Sequence, residues 1–319
     1  MKHSLSRIGL AAALSLTALA ASAQSNVTLY GRVNLTVENQ KAGSDGSKTV
    51  LQNNSSRWGV RGSEDLGGGL KAGFNLESGW AADTGVAAAT FFGRRSEVNL
   101  SGGFGTLRLG RYFSEAYFAT ADYVSNHNHD TGTSSDAFYA YLGRDANKIA
   151  YRLPEFAKDL SIEGAVLLHE GVTGQKNNYD FAVNYSVGGL QLGLGYELAD
   201  TTTTKKNQVA LRAFYSAGPF GFGGYVQRDK NAFGAGNRTN VRLSAMYTLD
   251  LSEFHVNVGS AGDTGNIADS DARQYTLGYN YLLSKRTKVY GFVTKIDDGK
   301  AGLYGGDFKS FAVGVRHNF

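Results

Sequence analysis

The sequence predicts an all-β protein, an antiparallel transmembrane β-barrel of about 16 strands. Three observations carry that expectation. Apolar and polar side chains alternate with a period of two along most of the chain, the pattern of strands with one wet and one apolar face. The 42 glycines and only 2 prolines suit long paired strands joined by tight turns. Beyond the N-terminal segment no apolar run approaches the roughly 18 residues of a membrane-crossing helix. Any crossing must then be made by strands, and only as a closed barrel, because lipid gives an open edge no hydrogen-bond partner.

The chain opens with Lys2 and Arg7, an apolar stretch over 8–20 and the small-residue triplet Ala21-Ser22-Ala23. That order marks a secretory signal peptide, and its apolar run of about 13 residues is too short for a spanning helix. The expected organisation is a cleaved signal over 1–23 and a single barrel domain over 24–319, beginning at Gln24. The signal carries two of the basic residues and no acid, so the net charge of +4 falls to about +2 on cleavage. So weak a charge argues against a nucleic-acid partner. The absence of cysteine excludes a disulfide scaffold, a thiolate nucleophile and a Cys-ligated metal in an exported chain.

The first strand sets the script. Val27, Leu29, Gly31, Val33, Leu35 and Val37 share one face, and Thr28, Tyr30, Arg32, Asn34, Thr36 and Glu38 the other. The same alternation recurs over 70–77, 179–187 and 190–198, and further runs fall at 55–64, 92–101, 105–111, 147–153, 160–169, 207–217, 220–228, 239–249, 253–260, 273–283, 287–296 and 308–319. Short connections at 66–69, 188–189, 218–219 and 284–286 take turns with longer polar ones at 39–54, 200–206, 229–237 and 261–271. Short turns on one side and long loops on the other are the habit of outer-membrane barrels.

A soluble sandwich would also alternate, but it would break into domains over this length, and no linker or composition shift appears between 24 and 319. The centres of the apolar faces carry no charge. Arg94 and Arg273 fall on them by parity, near strand ends where a long side chain reaches the headgroups. The run 287–296 fits neither parity, and its facing stays open. Trp58, Trp80, Phe91, Phe92, Tyr215, Tyr279, Tyr281 and Phe319 sit near strand ends, as interfacial girdles require.

The segments SSRWGVRGSEDLGGGLKAGFNLESGW at 55–80 and SEVNLSGGFGTLRLGRYFSEAY at 96–117, with the ending FAVGVRHNF, resemble the Gram-negative general porin family, nearest its neisserial and Burkholderia-type branch. The similarity spans essentially the mature chain. Its most specific pieces are Gly62 to Gly67, Gly105 to Arg111 and the terminal strand ending in Phe319. The resemblance implies a 16-stranded barrel with a long third loop folded into the lumen, a homotrimer, and a terminal Phe319 read by the barrel-assembly machinery. It also implies residence in the bacterial outer membrane among lipid and lipopolysaccharide, and passive diffusion of small hydrophilic solutes and ions rather than enzymatic activity.

The segment 112–145 is far longer than an ordinary loop. It carries Glu115, Asp122, His127, His129, Asp130 and Asp136, and it sits where the family narrows its pore. By parity Arg32, Arg57, Arg61, Lys71, Arg108, Arg152 and Arg212 point inward, so acids on the loop would face a basic wall. The resemblance adds Arg111 and Arg144 to Arg57 as constriction arginines. Strict alternation from Leu107 and Leu109 would turn Arg111 outward, so its place there requires the strand to end or bulge. The candidate constriction is thus Arg32, Arg57, Arg61, Arg108, Arg111, Arg144, Glu115, Asp122 and Asp130, with a mild preference for anions. Each arginine taken alone could instead be a solvated wall charge paired with Glu77, Glu97 or Glu163.

No metal, cofactor or catalytic set is expected. His127-Asn128-His129-Asp130 lacks a ligand spacing of any strength, and neither Asp263, Asp269 and Asp271 nor Asp297-Asp298 matches a calcium loop. Gly67-Gly68-Gly69 is a strand turn with no helix after it. His169 and His255 show no sequence-visible partner for a nucleophile. A solute-specific channel is the rival within transport, and an adhesin or surface enzyme the rival outside it.

Overall fold

The computed structural model describes residues 26–124, 137–142, 145–265 and 267–319. The predicted signal at 1–23, together with His127, His129, Asp130, Asp136 and Arg144, lies outside the described residues.

Strand β1 (Asn26–Ala42) pairs along its length with two pieces of one stave, β2 (Lys48–Asn53 continuing as Arg57–Gly67). Then follow β3 (Leu70–Ala81), β4 (Arg95–Gly102), β5 (Gly105–Arg111), β6 (Lys148–Arg152), β7 (Leu160–Leu167), β8 (Asn178–Val187) and β9 (Leu190–Asp200). The second half is β10 (Lys205–Ala217), β11 (Phe220–Lys230), β12 (Asn237–Leu249), β13 (Ser252–Ala261), β14 (Ala272–Leu282), β15 (Thr287–Asp298) and β16 (Phe308–Asn318). Every neighbour is antiparallel and β16 returns to pair with β1, so the 16 staves close and no edge is left. At the seam Gly31 and Phe319 exchange both backbone hydrogen bonds at 3.0 Å, and the Phe319 ring lies over Gly31 where a Cβ would collide with it.

The burial pattern inverts that of a soluble protein. Apolar residues of the alternating faces are exposed, Val37 at 50 %, Leu211 at 52 % and Phe311 at 57 %, whereas the buried positions are polar: Asn34, Gln208, Gln227, Asn240 and Gln274 at 0 %. Lipid is the solvent of the outer face and the lumen holds the polar side chains. A row of rings stands on that outer face, with Tyr279 its one member among the expected girdle residues. Phe220, Tyr247, Phe254 and Tyr279 step across β11–β14 at ring separations of 4.9, 6.5 and 5.1 Å.

Two sequence expectations are corrected, and a facing that parity left open is given by the structure. The span 39–54 is mostly strand, leaving only a short connection at 43–47 between β1 and β2; its even-numbered Gln40 and Gln52 belong to the inward-facing wall. Strand β15, whose facing parity left open, points Tyr290, Phe292, Thr294 and Ile296 inward and Lys295 and Asp297 outward. Its alternation is blurred because the inward rings have partners, Tyr290 donating to Asn34 Oδ1 at 2.6 Å, while the outward Lys295 is neutralised by Asp297 at 2.6 Å. Arg273 does face outward, one residue from its strand end and opposite Asp297, but Arg94 does not, because β4 begins only at Arg95.

One irregularity matters for the site. Leu35 pairs with Asn53 but Arg32 pairs with Arg57, so β2 contains one extra residue across 54–56, a bulge with Ser55 at φ 54°. Above it Thr49 and Leu51 face lipid on odd numbers; below it odd-numbered Arg57 and Arg61 face the lumen beside Arg32 and Thr28. Asn34 holds the bulge through its backbone N–H to Ser56 Oγ at 3.0 Å and its amide to the Asn54 carbonyl at 3.1 Å.

Leu211 occupies the midpoint of β10 on the apolar face. Leu211→Arg should destabilise the folded barrel in bilayers by roughly 2–4 kcal/mol, read from urea titration of folding into phosphatidylcholine vesicles. An unchanged midpoint would mean this face does not meet lipid.

Candidate pore constriction

The segment between β5 and β6 leaves the wall and packs against inward-facing side chains on the far side of the barrel. It forms a helical turn, Glu115–Tyr117, that continues as a π-helix, Phe118–Asp122. Ser114 caps it by accepting the Tyr117 N–H at 3.2 Å. The free N–H groups of Glu115 and Ala116 donate to the two oxygens of Asp180 on β8 at 3.1 and 3.2 Å, and Lys148 balances that buried carboxylate at 2.8 Å. The turn lies flush on β9: a Cβ at Gly195 would stand 2.6 Å from the Ala116 carbonyl oxygen, and one at Gly193 would collide with that of Ala119. Those two glycines are wall positions where only a hydrogen side chain leaves room for the inserted backbone.

Further along, several peptide groups of the described part of the segment meet polar wall residues. Ser244 donates to the Val124 carbonyl at 2.9 Å, and Arg238 and Asn240 to that of Phe138 at 2.7 and 2.8 Å. Gln227 accepts from the Ala140 N–H at 2.8 Å and returns a bond to its carbonyl at 3.2 Å, while Gln208 donates to the Tyr139 hydroxyl at 3.0 Å. A backbone without regular structure is tolerable at membrane depth only with such partners. Burial pushes the Tyr139 and Tyr141 hydroxyls well above their usual range and lifts the Asp145 carboxyl, against which the Tyr141 hydroxyl hydrogen bond acts.

With its back against β8–β12, the segment turns its other face towards β2–β4 across an opening of about 440 Å³. Arg57, Glu77, Arg94 and Arg95 form the wall side. Phe113, Tyr117, Phe118, Tyr141 and Asp122 form the loop side. Glu77 Oε1 lies 2.6 Å from Arg94 Nε and 4.0 Å from Arg57 Nε, and Arg95 reaches Glu97 at 3.2 Å. The Arg94 guanidinium rests 5.2 Å over the Phe113 ring.

The other expected residues divide by position. Asp122 and Arg57 face each other across the opening. Arg108 points inward as its parity requires, yet it is buried behind the loop among Glu97, Glu115 and Glu163 at 2.8, 2.5 and 2.8 Å, and Glu115 also lies 3.5 Å from Arg152. These charges fasten the loop to the wall and do not border the opening. Arg32 is likewise structural, donating to the Ser55 and Asn54 carbonyls of the bulge at 3.1 and 3.3 Å. Arg61 stands four residues below Arg57, about 13 Å along the strand, with its guanidinium 5.1 Å over the Tyr30 ring. Arg111 closes β5 just after Gly110, whose φ is 129°, and donates to the Gly93 carbonyl at 2.6 Å, so it braces the connection that presents Arg94. Among the described residues no group of three or more His, Asp or Glu is placed to hold a metal ion.

Parity missed Arg94 and Arg95 as constriction residues. The signal available was their adjacency at the mouth of β4, where alternation is not yet in force and both side chains of a pair can turn inward.

A closed barrel with an apolar exterior, a polar lumen and an inserted segment that leaves an aqueous opening defines a membrane channel of the outer-membrane barrel class. The chain belongs to the Gram-negative porin family, whose model matches residues 10–301. It is 31 % identical to outer membrane porin protein 32 of Delftia acidovorans across 100 % of both chains. To the major outer membrane protein P.IB of Neisseria meningitidis serogroup B it is 29 % identical over 96 % of this chain and 98 % of that one. Among solved structures, the anion-selective porin from Comamonas acidovorans superimposes with a TM-score of 0.79 at 29 % identity, covering 93 % of this chain and 100 % of that one. Salmonella typhi OmpF, at 16 % identity and a TM-score of 0.77, shares the fold. On this membership the chain is a passive outer-membrane porin rather than an enzyme.

Two substitutions test the docking of the segment. Gly195→Val should push the helical turn off β9 and change the single-channel conductance; an unchanged conductance would mean the turn does not limit the pore. Arg108→Met leaves three carboxylates around one lost cation and should lower stability by about 3–5 kcal/mol in urea unfolding monitored by tryptophan fluorescence. A loss no larger than that of Arg57→Gln would refute a structural role.

Proposed function

We propose that this porin passes small hydrophilic solutes with a mild preference for anions, and that the preference is set at the opening between the inserted segment and β2–β4. The observation that carries the reading is the meeting of Arg57, Arg94 and Arg95 with Glu77 and Asp122 as the acids lining one opening among the described residues. An anion about 5 Å from one guanidinium gains roughly 1 kcal/mol in bulk-like water and about 3 kcal/mol at an effective dielectric of 20. Attraction of that size, screened by salt, enriches anions without trapping them, which is what conduction requires. The similarity to the anion-selective porin from Comamonas acidovorans points the same way.

The assembly proposed is a homotrimer, in keeping with the trimer form described for a Vibrio cholerae barrel of the same fold. The proposed route is export under a signal over 1–23, cleavage to the 24–319 barrel, and recognition of the terminal strand by the assembly machinery through Phe319, within a membrane of lipid and lipopolysaccharide. Arg144 and Asp130 stay in the proposal as constriction residues by resemblance alone; Arg111, the buried Arg32 and Arg108 and the half-buried Glu115 enter it as residues that hold the wall and the loop, and Arg61 as a charge on the approach from the terminus side.

Planar-bilayer recordings under a KCl gradient test this. The wild type should show stepwise channels with a reversal potential displaced towards chloride, and Arg57→Gln combined with Arg94→Gln should move it towards zero or to the cation side. Stepwise channels whose reversal potential ignores both substitutions would sink the assignment.

A further inference from the structure

We propose that the constriction is also a binding site for aromatic carboxylates, the carboxylate held by Arg94 and Arg95 and the ring lying against Phe113, Tyr117 and Phe118. This rests on the placement of the constriction proposed above and adds a ligand class to it.

The ring surface is built and presented. Phe113, Tyr117 and Phe118 sit at 5.7–6.1 Å centroid separations, Phe113 to Phe118 edge-on at 84° and Tyr117 to Phe118 tilted at 55°. Tyr139 and Tyr141, which also line the opening, pack edge-on against Tyr117 at 5.5 and 5.6 Å. The cluster is rigid at its base, because Tyr139 is buried and hydrogen-bonded to Thr120 and Gln208. Phe113, Tyr117 and Phe118 themselves remain half-buried and border the opening. Filling the loop's interior would have called for these rings to turn towards β8–β12, where Ala116, Ala119 and Ala121 pack instead.

Charge stands at the right place beside them. A guanidinium has five N–H donors in a plane. Arg94 gives Nε–H to Glu77 and Arg95 one N–H to Glu97, so each retains donors suited to a second carboxylate. Arg94 already lies on the Phe113 ring, which places its remaining donors at the edge of the aromatic surface. An aliphatic anion such as acetate meets only the guanidinium half of this arrangement. A benzoate-sized solute meets both halves, and about 440 Å³ accommodates it. An edge-to-face contact of the usual strength gives a roughly two- to tenfold preference for the ring-bearing anion.

The test is block of chloride current through the full-length, folded porin in planar bilayers by benzoate, acetate, cyclohexanecarboxylate and benzylamine at equal concentrations. The expected result is saturable block by benzoate, two- to tenfold tighter than by acetate and tighter than by cyclohexanecarboxylate, with benzylamine weakest. Phe118→Leu should bring the benzoate-to-acetate ratio close to one, Phe118→Tyr should keep it, and Arg94→Gln should weaken both anions. Equal block by benzoate and acetate in the wild type would overturn the site, and so would benzylamine matching benzoate, which would assign the rings to cations drawn by Glu77 and Asp122. The wild-type comparison decides the matter even if Phe118→Leu fails to fold. A reversal potential indifferent to the arginine substitutions, with benzoate block intact, would defeat the selectivity reading alone; the converse pair of results would defeat the ring site alone.

Discussion

Hydrocarbon gives a peptide group nothing to bond to, and the rest of this structure depends on that refusal. It forces each of the 16 staves to find two neighbours and the last to find the first, so that β1 is held by β2 on one side and β16 on the other. Closure at that number leaves an interior too wide for the wall side chains to fill. The polar half of the period-two pattern must then be satisfied by water, by other wall residues or by chain brought in from elsewhere. In this protein Gln227, Arg238 and Asn240 of β11 and β12 bond to peptide groups of the inserted segment and Gln208 of β10 donates to its Tyr139 hydroxyl, so the wall and the segment solve part of each other's hydrogen-bond problem.

The lumen is consequently two-sided. On β8–β12 it is a dock, where Asp180 and Lys148 receive the helical turn and paired glycines let it lie close. On β2–β4 it is the margin of the passage, where arginines and Glu77 stay partly exposed. Charges that look equivalent in the sequence thus do different jobs. Arg108, ringed by three carboxylates, is spent on holding the segment, while Arg57 and Arg94 lie beside Glu77 at the margin of the opening.

How much of this the sequence discloses follows from the range of the forces involved. Which face of a strand meets lipid is a local choice repeated every second residue, so all sixteen staves and nearly all of their facings were legible, including Arg57, Arg61 and Arg212 as inward residues. Strand β15 hid its facing because its inward Tyr290 and Ile296 are satisfied by partners from distant segments, Asn34 and Phe138 among them. The site was legible only as a long loop with acids opposite basic strands. That Arg94 would turn inward, that Arg32 would serve a bulge, and that a cluster of rings would face the arginines all depend on contacts between residues far apart in the chain.

The extra residue at 54–56 of β2 splits one stave into two reading frames. Above it the odd positions answer to lipid, below it to water, and the two halves are written independently. Lipid-facing and lumen-facing positions therefore exchange parity within the one strand. The rim of the pore can acquire or lose charge while the hydrocarbon-facing register above it stays untouched, which gives a closed and otherwise rigid wall a place where its filter can be edited.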